Sequence, residues 1–316
     1  MAYRRTSCIS LDSAMSSAER PLSERTGSVA VVAHDAGGAA VLASYVKQEG
    51  IVACFVLAGP AKQIFKDRCG EIHCVSLSEA LISSSWVLTG TGWQTDFEWQ
   101  AIRQGRAAGK HVVTFLDHWV NYPARFVRKA MTCYPDKIWV GDAHAAEIAR
   151  KSLPEGLIIR RIENPYFRAF TSEMGLLAGI RKIEHRREKS ILFVSENINR
   201  DSFNQNDVIR YFMGNLNSIG VKVGEILIRP HPSELAEKYA WAEVEFGKLV
   251  KLSRGARLEE EVAASDIVVG CSSMAMALAA KAGKRVISCI PDYKMPLTLP
   301  FEQIEILSII IDKSKE

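Results

Sequence analysis

The stretch DIVVGCSSMAMALAAKAGKRV, residues 266 to 286, decides the fold of this chain. It contains a buried strand that ends at Gly270, a helix of small side chains, and a further apolar strand after Gly283. Ser272 or Ser273 can cap the start of the helix, and a glycine commonly follows the end of one. A strand, a helix and a strand in this order predict a parallel sheet covered by helices.

The same alternation extends along the rest of the chain. The apolar runs are continuous, as expected for strands buried on both faces. In the first half we predict strands at 28–34, 52–58, 84–90, 110–117 and 137–142, and helices at 38–49, 61–68, 77–83, 95–109 and 143–153. In the second half we predict strands at 190–195, 223–229, 248–252, 265–270 and 284–290, and helices at 205–218, 233–242, 257–264 and 273–283. The fold class is therefore α/β, with two Rossmann-like domains and a cleft between them.

The predicted domain boundary lies at Asn164-Pro165, because the residue before a proline is biased away from helix. Residues 28–164 form the predicted N-terminal domain and residues 165–316 the C-terminal domain. Residues 1–27 are rich in Ser and Arg and lack the apolar region of a secretory signal, so we predict a flexible lead-in.

Composition limits the classes of partner. The chain has 316 residues, of which 47% are hydrophobic, and its formal charge of +4 balances 40 basic against 36 acidic side chains. That imbalance is too small to indicate nucleic-acid binding. The seven cysteines form no CxxC pair, which is typical of a reduced, cytoplasmic protein. The sequence has no run of 18 apolar residues that would predict a membrane span.

Ligands of open α/β sheets bind beyond the carboxyl ends of the strands. In the second half, the segment LIRPHPSE, residues 227 to 234, places His231 between two prolines that fix the backbone on either side. The turn at Gly270 to Ser273 opens a helix whose free amides and two hydroxyls suit a phosphate. The alternative is that the two serines only cap the helix.

These two motifs resemble the HP and Ser-Ser motifs of bacterial glycosyltransferases with the GT-B fold, chiefly sialyltransferases, polysialyltransferases and Kdo transferases, which use CMP-activated sugars. The resemblance covers roughly residues 190 to 290, and the first half only in architecture. It implies that His231 and the serines bind the phosphate and ribose of a nucleotide-sugar, which is a substrate and not a cofactor. The implied donor-binding residues are Arg229, His231, Pro232, Glu234, Gly270, Ser272 and Ser273.

The first half must then bind the acceptor and supply a base for an inverting transfer. Asp117 and His118 follow a buried strand, and Asp117 is similar in placement to the acidic motif of those transferases. His34 and Asp35, before a pair of glycines, are the second candidates. Two plainer alternatives remain: His34 and Asp35 cap a helix, or Asp117 and His118 form a structural polar pair.

The absence of three motifs argues against a dinucleotide cofactor, a P-loop phosphate site and a bound metal ion. The glycine-containing segments do not spell GxGxxG, there is no P-loop motif, and no DxD pair indicates a metal site, so we predict metal-independent transfer. A basic cluster near the boundary favours either a solvated helix face or contact with anionic lipid headgroups. Its members are Arg181, Lys182, His185, Arg186, Arg187 and Lys189.

Together with the resemblance, the sequence predicts a cytoplasmic GT-B glycosyltransferase of surface polysaccharide assembly that acts on a glycan or lipid-linked acceptor; peripheral contact with the inner membrane is left open. The resemblance implies an acidic sugar carried on CMP as the donor. Three alternatives stay open: an isomerase similar to UDP-sugar 2-epimerases, an enzyme similar to CDP-glycerol glycerophosphotransferases, and a non-catalytic nucleotide-binding module.

Overall fold

A computed structural model of the chain describes residues 27–92, 95–180, 188–198, 203–291 and 295–314. Its N-terminal half contains a six-stranded, fully parallel sheet in the order β2-β1-β3-β4-β7-β8. These strands are β1 (Val29–Ala33), β2 (Ala53–Leu57), β3 (Trp86–Thr89), β4 (His111–Leu116), β7 (Lys137–Val140) and β8 (Ile158–Arg161). A small antiparallel pair, β5 (Val127–Arg128) and β6 (Met131–Thr132), follows β4.

Five helices connect the strands of this half. They are α1 (Ala36–Glu49), α2 (Ala61–Cys69), α3 (Leu77–Ser83), α4 (Phe97–Ala107) and α5 (Ala143–Ser152). Local chemistry fixes their ends. Ser76 and Glu79 form a capping box at the start of α3, the Asp142 side chain caps α5, and Gly50 ends α1 in the left-handed conformation that glycine adopts without strain.

The C-terminal half contains a second parallel sheet of six strands, in the order β11-β10-β9-β12-β13-β14. The strands are β9 (Lys189–Val194), β10 (Val223–Arg229), β11 (Val250–Leu252), β12 (Ile267–Gly270), β13 (Arg285–Ser288) and β14 (Glu305–Ile306). The helices are α7 (Gln205–Gly214), α8 (Ala240–Phe246), α9 (Leu258–Ala264), α10 (Met274–Lys281) and α11 (Leu307–Lys313). Because β9 lies between β10 and β12, its end lies between the two motifs that follow those strands.

The helix α6 (Pro165–Ile180) joins the halves and packs on both of them, against α1 on one side and α9 and α10 on the other. Asn164 caps it, since its Oδ1 accepts the N–H of Tyr166 at 2.9 Å. One apolar cluster runs from the first sheet through Phe170 of α6 to Val262 and Leu278 of the second half. The remaining face of the second sheet has a cluster of its own around Phe193 and Phe212.

The fold class predicted from the sequence is confirmed: two α/β domains, each with a parallel sheet. The sequence missed β8, because this edge strand is short, half-exposed and ends in two arginines. The helix predicted at 205–218 ends at Gly214, where a 3₁₀ turn follows. The helix predicted at 233–242 is a 3₁₀ turn that leads into α8, because Pro232 and Glu234 shape the preceding turn.

Two predictions fall almost entirely on residues that the structure does not describe. The lead-in, apart from Gly27, and the basic cluster, apart from Lys189, lie outside the described residues. Lys189 pairs with Asp266 at 3.4 Å. Within the described ranges, no helix has both the length and the apolar character needed to cross a membrane.

Candidate functional site

The two halves meet at His118, just after β4, and Ser272, just after β12. The Trp119 N–H donates to Nδ1 of His118 at 3.0 Å, so the neutral ring carries its proton on Nε2. That Nε2–H donates to the Ser272 carbonyl oxygen at 3.2 Å. Trp119 is buried and packs edge-on against Phe301 of the C-terminal half, with ring centroids 5.6 Å apart. Both nitrogens of His118 are therefore engaged, and the ring links the two halves.

Acid is expected to destabilise the protein through His118. Burial lowers the pKa of this histidine below its ordinary value of 6.5, although the Asp117 carboxylate opposes the shift. As the pH falls below that ordinary value, the unfolded state binds a proton that the folded state resists, so the free energy of unfolding falls. We expect the melting temperature to drop less between pH 7.5 and pH 5 for His118→Gln than for the wild type. Equal drops would show that His118 contributes nothing to acid sensitivity.

Asp117 is hydrogen-bonded through one of its carboxylate oxygens and closely packed at the other. Oδ1 accepts from Nη1 of Arg125 at 2.9 Å, and that buried guanidinium also donates to Thr91. A Cβ on Gly37 would lie 2.1 Å from Oδ2, so the carboxylate fits against the first turn of α1 only because residue 37 is glycine. The side chain of Asp117 is 12% exposed. These contacts give Asp117 a structural role at the floor of the cleft.

His34 and Asp35 follow β1 as an interacting pair. Nδ1 of His34 lies 2.8 Å from Oδ1 of Asp35, and the Asp35 side chain is 26% exposed. Asp35 is the N-cap residue of α1 by position, but its side chain makes no capping hydrogen bond. Its Oδ2 points towards Gly92, where a Cβ would approach within 2.7 Å. The helix-capping alternative therefore does not account for this carboxylate.

Glu98 is a buried carboxyl that the sequence did not identify. Its Oε1 accepts the backbone N–H of His34 at 2.7 Å and that of Asp35 at 3.2 Å. Burial raises the pKa of Glu98, and the negative charge of Asp35 raises it further. Its Oε2 is buried without a hydrogen-bond partner in the described part of the chain. Glu98 thus fixes the turn that presents Asp35.

Two replacements of Glu98 should differ in stability. Glu98→Gln keeps an oxygen for both amides and removes the cost of a buried charge, so we expect a melting temperature at pH 8 at or above that of the wild type. Glu98→Ala leaves two buried amides unpaired and is expected to lower the free energy of unfolding by about 2 kcal/mol or more. Denaturant unfolding of the two variants measures this contrast. A Gln variant as unstable as the Ala variant would contradict it.

His231 is presented by a turn in which its carbonyl accepts the N–H of Glu234 at 2.8 Å. The N–H of Ser233 donates to Nδ1 of His231 at 3.2 Å, which places the proton of the neutral ring on Nε2. Nε2 makes no hydrogen bond within the ranges that the structure describes. Burial lowers the pKa of His231, while Glu234 and then Asp35 act in the opposite direction.

The neighbours of His231 support the turn. Glu234 accepts from Tyr239 Oη at 2.6 Å and from Ser195 Oγ at 3.2 Å, and it pairs with Lys238. Arg229 pairs with Glu261 of α9 at 2.5 Å. Pro232 is exposed at the corner of the turn. Arg229 and Glu234 are thus engaged within the domain, so their predicted contact with a donor stays a prediction.

The residues of the turn Gly270 to Ser273 make different contacts. Gly270 is required for packing, because a Cβ there would lie 2.9 Å from the Val194 carbonyl oxygen. Ser273 caps α10 through a long contact of 3.4 Å with the Met276 N–H, as the capping alternative states. Ser272 Oγ is buried and has no partner among the described residues. The Ser272 hydroxyl is therefore the one of the two that the capping alternative does not explain.

A carboxylate lies against this turn. Oε1 of Glu196, after β9, accepts the N–H of Cys271 at 3.0 Å and that of Ser272 at 2.6 Å. Two consecutive amides of the proposed phosphate position are thus engaged by an internal anion. The amides of Met274 and Ala275, at the start of α10, have no intrahelical acceptor.

The structure thus brings His34, Asp35, His118, His231 and Ser272 to one cleft. It adds Glu98, Arg125 and Glu196, which sequence reasoning did not single out. The sequence gives little indication of these three residues, because each is a single charged residue outside any motif. Only the burial of the charge in the structure points to a role. Among the residues described, no group of three or more His, Cys, Asp or Glu side chains is arranged to hold a metal ion.

No protein-family model matches the chain, and no curated protein matches its sequence. Solved structures do resemble it. The UDP-GlcNAc 2-epimerase of Methanocaldococcus jannaschii, in complex with UDP-GlcNAc and UDP, has a TM-score of 0.63 at 10% identity over 91% of this chain and 92% of its own. Anabaena HepE in complex with UDP-glucose has a TM-score of 0.54 at 11% identity, over 83% and 80%. The glycotransferase of kitacinnamycin has a TM-score of 0.50 at 9% identity, over 87% and 83%. Identities this low establish the shared fold alone.

Proposed function

We propose that the protein is a nucleotide-sugar-dependent enzyme, and specifically a glycosyltransferase that works in the cleft between its two sheets. One observation carries the proposal: the His118 to Ser272 hydrogen bond brings the strand ends of the two halves together, and Asp35 and His231 follow strands of those two sheets, β1 and β10. Two further findings support it, namely the resemblance of the C-terminal motifs to those of GT-B transferases and the similarity in fold to proteins solved with UDP-sugars.

In this proposal the C-terminal half binds the donor. The Nε2–H of His231, the Ser272 hydroxyl, the amides of Cys271 and Ser272 and the first amides of α10 donate to the phosphate oxygens, and the helix dipole adds to the attraction. These groups stabilise the charge that develops as the bond between the sugar carbon and the phosphate oxygen breaks. We expect this step to need no metal ion, because the proposed donors would themselves neutralise the charge on the leaving phosphate.

The N-terminal half supplies the base, and the geometry favours Asp35 over Asp117. Asp35 is more exposed than Asp117, and it pairs with His34, whereas Asp117 pairs with the buried guanidinium of Arg125. Asp35 takes the proton of the acceptor hydroxyl as that oxygen attacks the sugar carbon from the face opposite to the phosphate. The nucleotide then departs with the electron pair of the broken bond, and the configuration at the carbon is inverted.

The identity of the donor nucleotide and sugar is the more specific part of the proposal. The motif resemblance favours an acidic sugar on CMP, whereas the similar solved structures contain UDP-sugars. A thermal-shift screen of CMP, CDP, UDP, GDP and their sugars separates the two, since a ligand at 100 times its Kd stabilises by about 2.7 kcal/mol. The selected donor is then incubated with glycan and lipid-linked acceptors, with and without EDTA. We expect nucleotide release that depends on acceptor and is unchanged by EDTA; the absence of any nucleotide binding would end the proposal.

Epimerisation is the second candidate, because the M. jannaschii UDP-GlcNAc 2-epimerase matches this chain over nine-tenths of its length. An epimerase needs no acceptor. Incubation with UDP-GlcNAc alone, followed by separation of the sugar products, distinguishes the two functions. A 2-epimer formed without acceptor would replace the transferase proposal by the isomerase one.

A further inference from the structure

The end of β9 connects the two turns assigned to the donor. Ser195 Oγ accepts the N–H of His231 at 2.9 Å on one side. On the other side, the Glu196 carboxylate accepts the amides of Cys271 and Ser272. β9 lies between β10 and β12 in the sheet, so this arrangement follows directly from the strand order. Glu196 therefore lies where the donor phosphate is proposed to bind.

Resting on the proposed nucleotide-sugar site, we infer that Glu196 is an internal competitor of the donor phosphate. Its oxygen takes two consecutive backbone N–H groups, which are the donors that a phosphate oxygen would use. A phosphate and a carboxylate cannot share these amides, because two anions at hydrogen-bond distance repel each other. Donor binding must therefore displace Glu196, and Glu196 sets the affinity for the phosphate part of the ligand.

Two buried polar atoms beside Glu196 support this inference. Gln205 is 1% exposed, and its Oε1 accepts the Glu196 N–H at 3.1 Å, but its Nε2 has no partner in the described part of the chain. Ser272 Oγ is likewise buried without a partner there. Buried donors without acceptors are costly and rare. A ligand oxygen bound at the turn would supply the missing acceptor for the Ser272 hydroxyl.

The test is isothermal titration of UDP, UMP and uridine into the full chain and its Glu196→Ala variant. We expect Glu196→Ala to bind UDP and UMP about tenfold more tightly, equivalent to about 1.4 kcal/mol, with uridine affinity unchanged. Glu155→Ala is the matched control, since it removes the same charge from an exposed position of the N-terminal half. Its UDP affinity should equal that of the wild type.

The outcomes separate this inference from the proposed function. If the wild type binds UDP and Glu196→Ala binds it equally or more weakly, Glu196 is a structural group and the inference is wrong, while the donor site stands. If neither protein binds UDP, UMP, CMP or a nucleotide-sugar, the proposed function fails and the inference with it. Should Glu196→Ala fail to fold, Glu196→Gln decides: it keeps the length without the charge, and we expect about threefold tighter UDP binding, with unchanged or weaker binding contradicting the competition.

Discussion

Asp35→Asn is expected to lower the turnover number by about 10²- to 10⁴-fold, the usual contribution of a general base. The amide keeps the shape of the side chain but cannot take a proton from an acceptor hydroxyl. The melting temperature should change little, because Asp35 makes no capping bond to α1. Steady-state turnover of the selected donor, together with thermal unfolding, measures both effects.

Two comparisons sharpen this prediction. Asp67→Asn makes the same chemical change on an exposed face of α2 and should leave turnover unaltered. Asp117→Asn breaks the pair with buried Arg125, so we expect a lower melting temperature. A stable Asp117→Asn protein without turnover, alongside an active Asp35→Asn protein, would transfer the base to Asp117.

His231→Ala is expected to weaken nucleotide binding by about 10- to 100-fold, because a hydrogen bond to a charged group contributes about 1.5 to 3 kcal/mol. The loss should appear for phosphorylated nucleotides and not for the nucleoside. His231→Gln retains an N–H donor and should recover part of the affinity. Titration calorimetry compares the variants.

The matched control is His73→Ala, which removes an exposed imidazole from the N-terminal half. It should bind nucleotide as the wild type does. Equal losses for nucleoside and nucleotide in His231→Ala would show that the histidine supports the turn and does not contact phosphate.

The fold could be predicted from the sequence because the residue patterns that determine it are local. Continuous apolar runs such as Val29–Ala33, capping residues such as Ser76 and glycines at strand ends act within a few residues of one another. The failures occurred where tertiary contacts override those signals. Strand β8 is defined only by its pairing with β7, and the turn after His231 is shaped by the buried carboxylate of Glu234.

The geometry of the candidate site could be predicted only in part, for the same reason. Polar residues at the strand ends of a parallel sheet gather at one edge, so His34, Asp35, Asp117, His118 and His231 could be selected in advance. Their partners could not be. Glu98 lies 64 positions after His34 in the sequence, yet it binds the His34 amide. Contacts at such separations depend on how the helices pack on the sheet.

The apolar cluster shared through α6 has a consequence for unfolding. Both halves pack on α6 within one apolar cluster, so unfolding of one half would expose apolar side chains that the other half covers. Unfolding should therefore be cooperative across both sheets. Differential scanning calorimetry is expected to record a single heat-absorption peak for the whole chain. Relative motion of the halves would likewise have to slide packed side chains along α6, as in a shear mechanism.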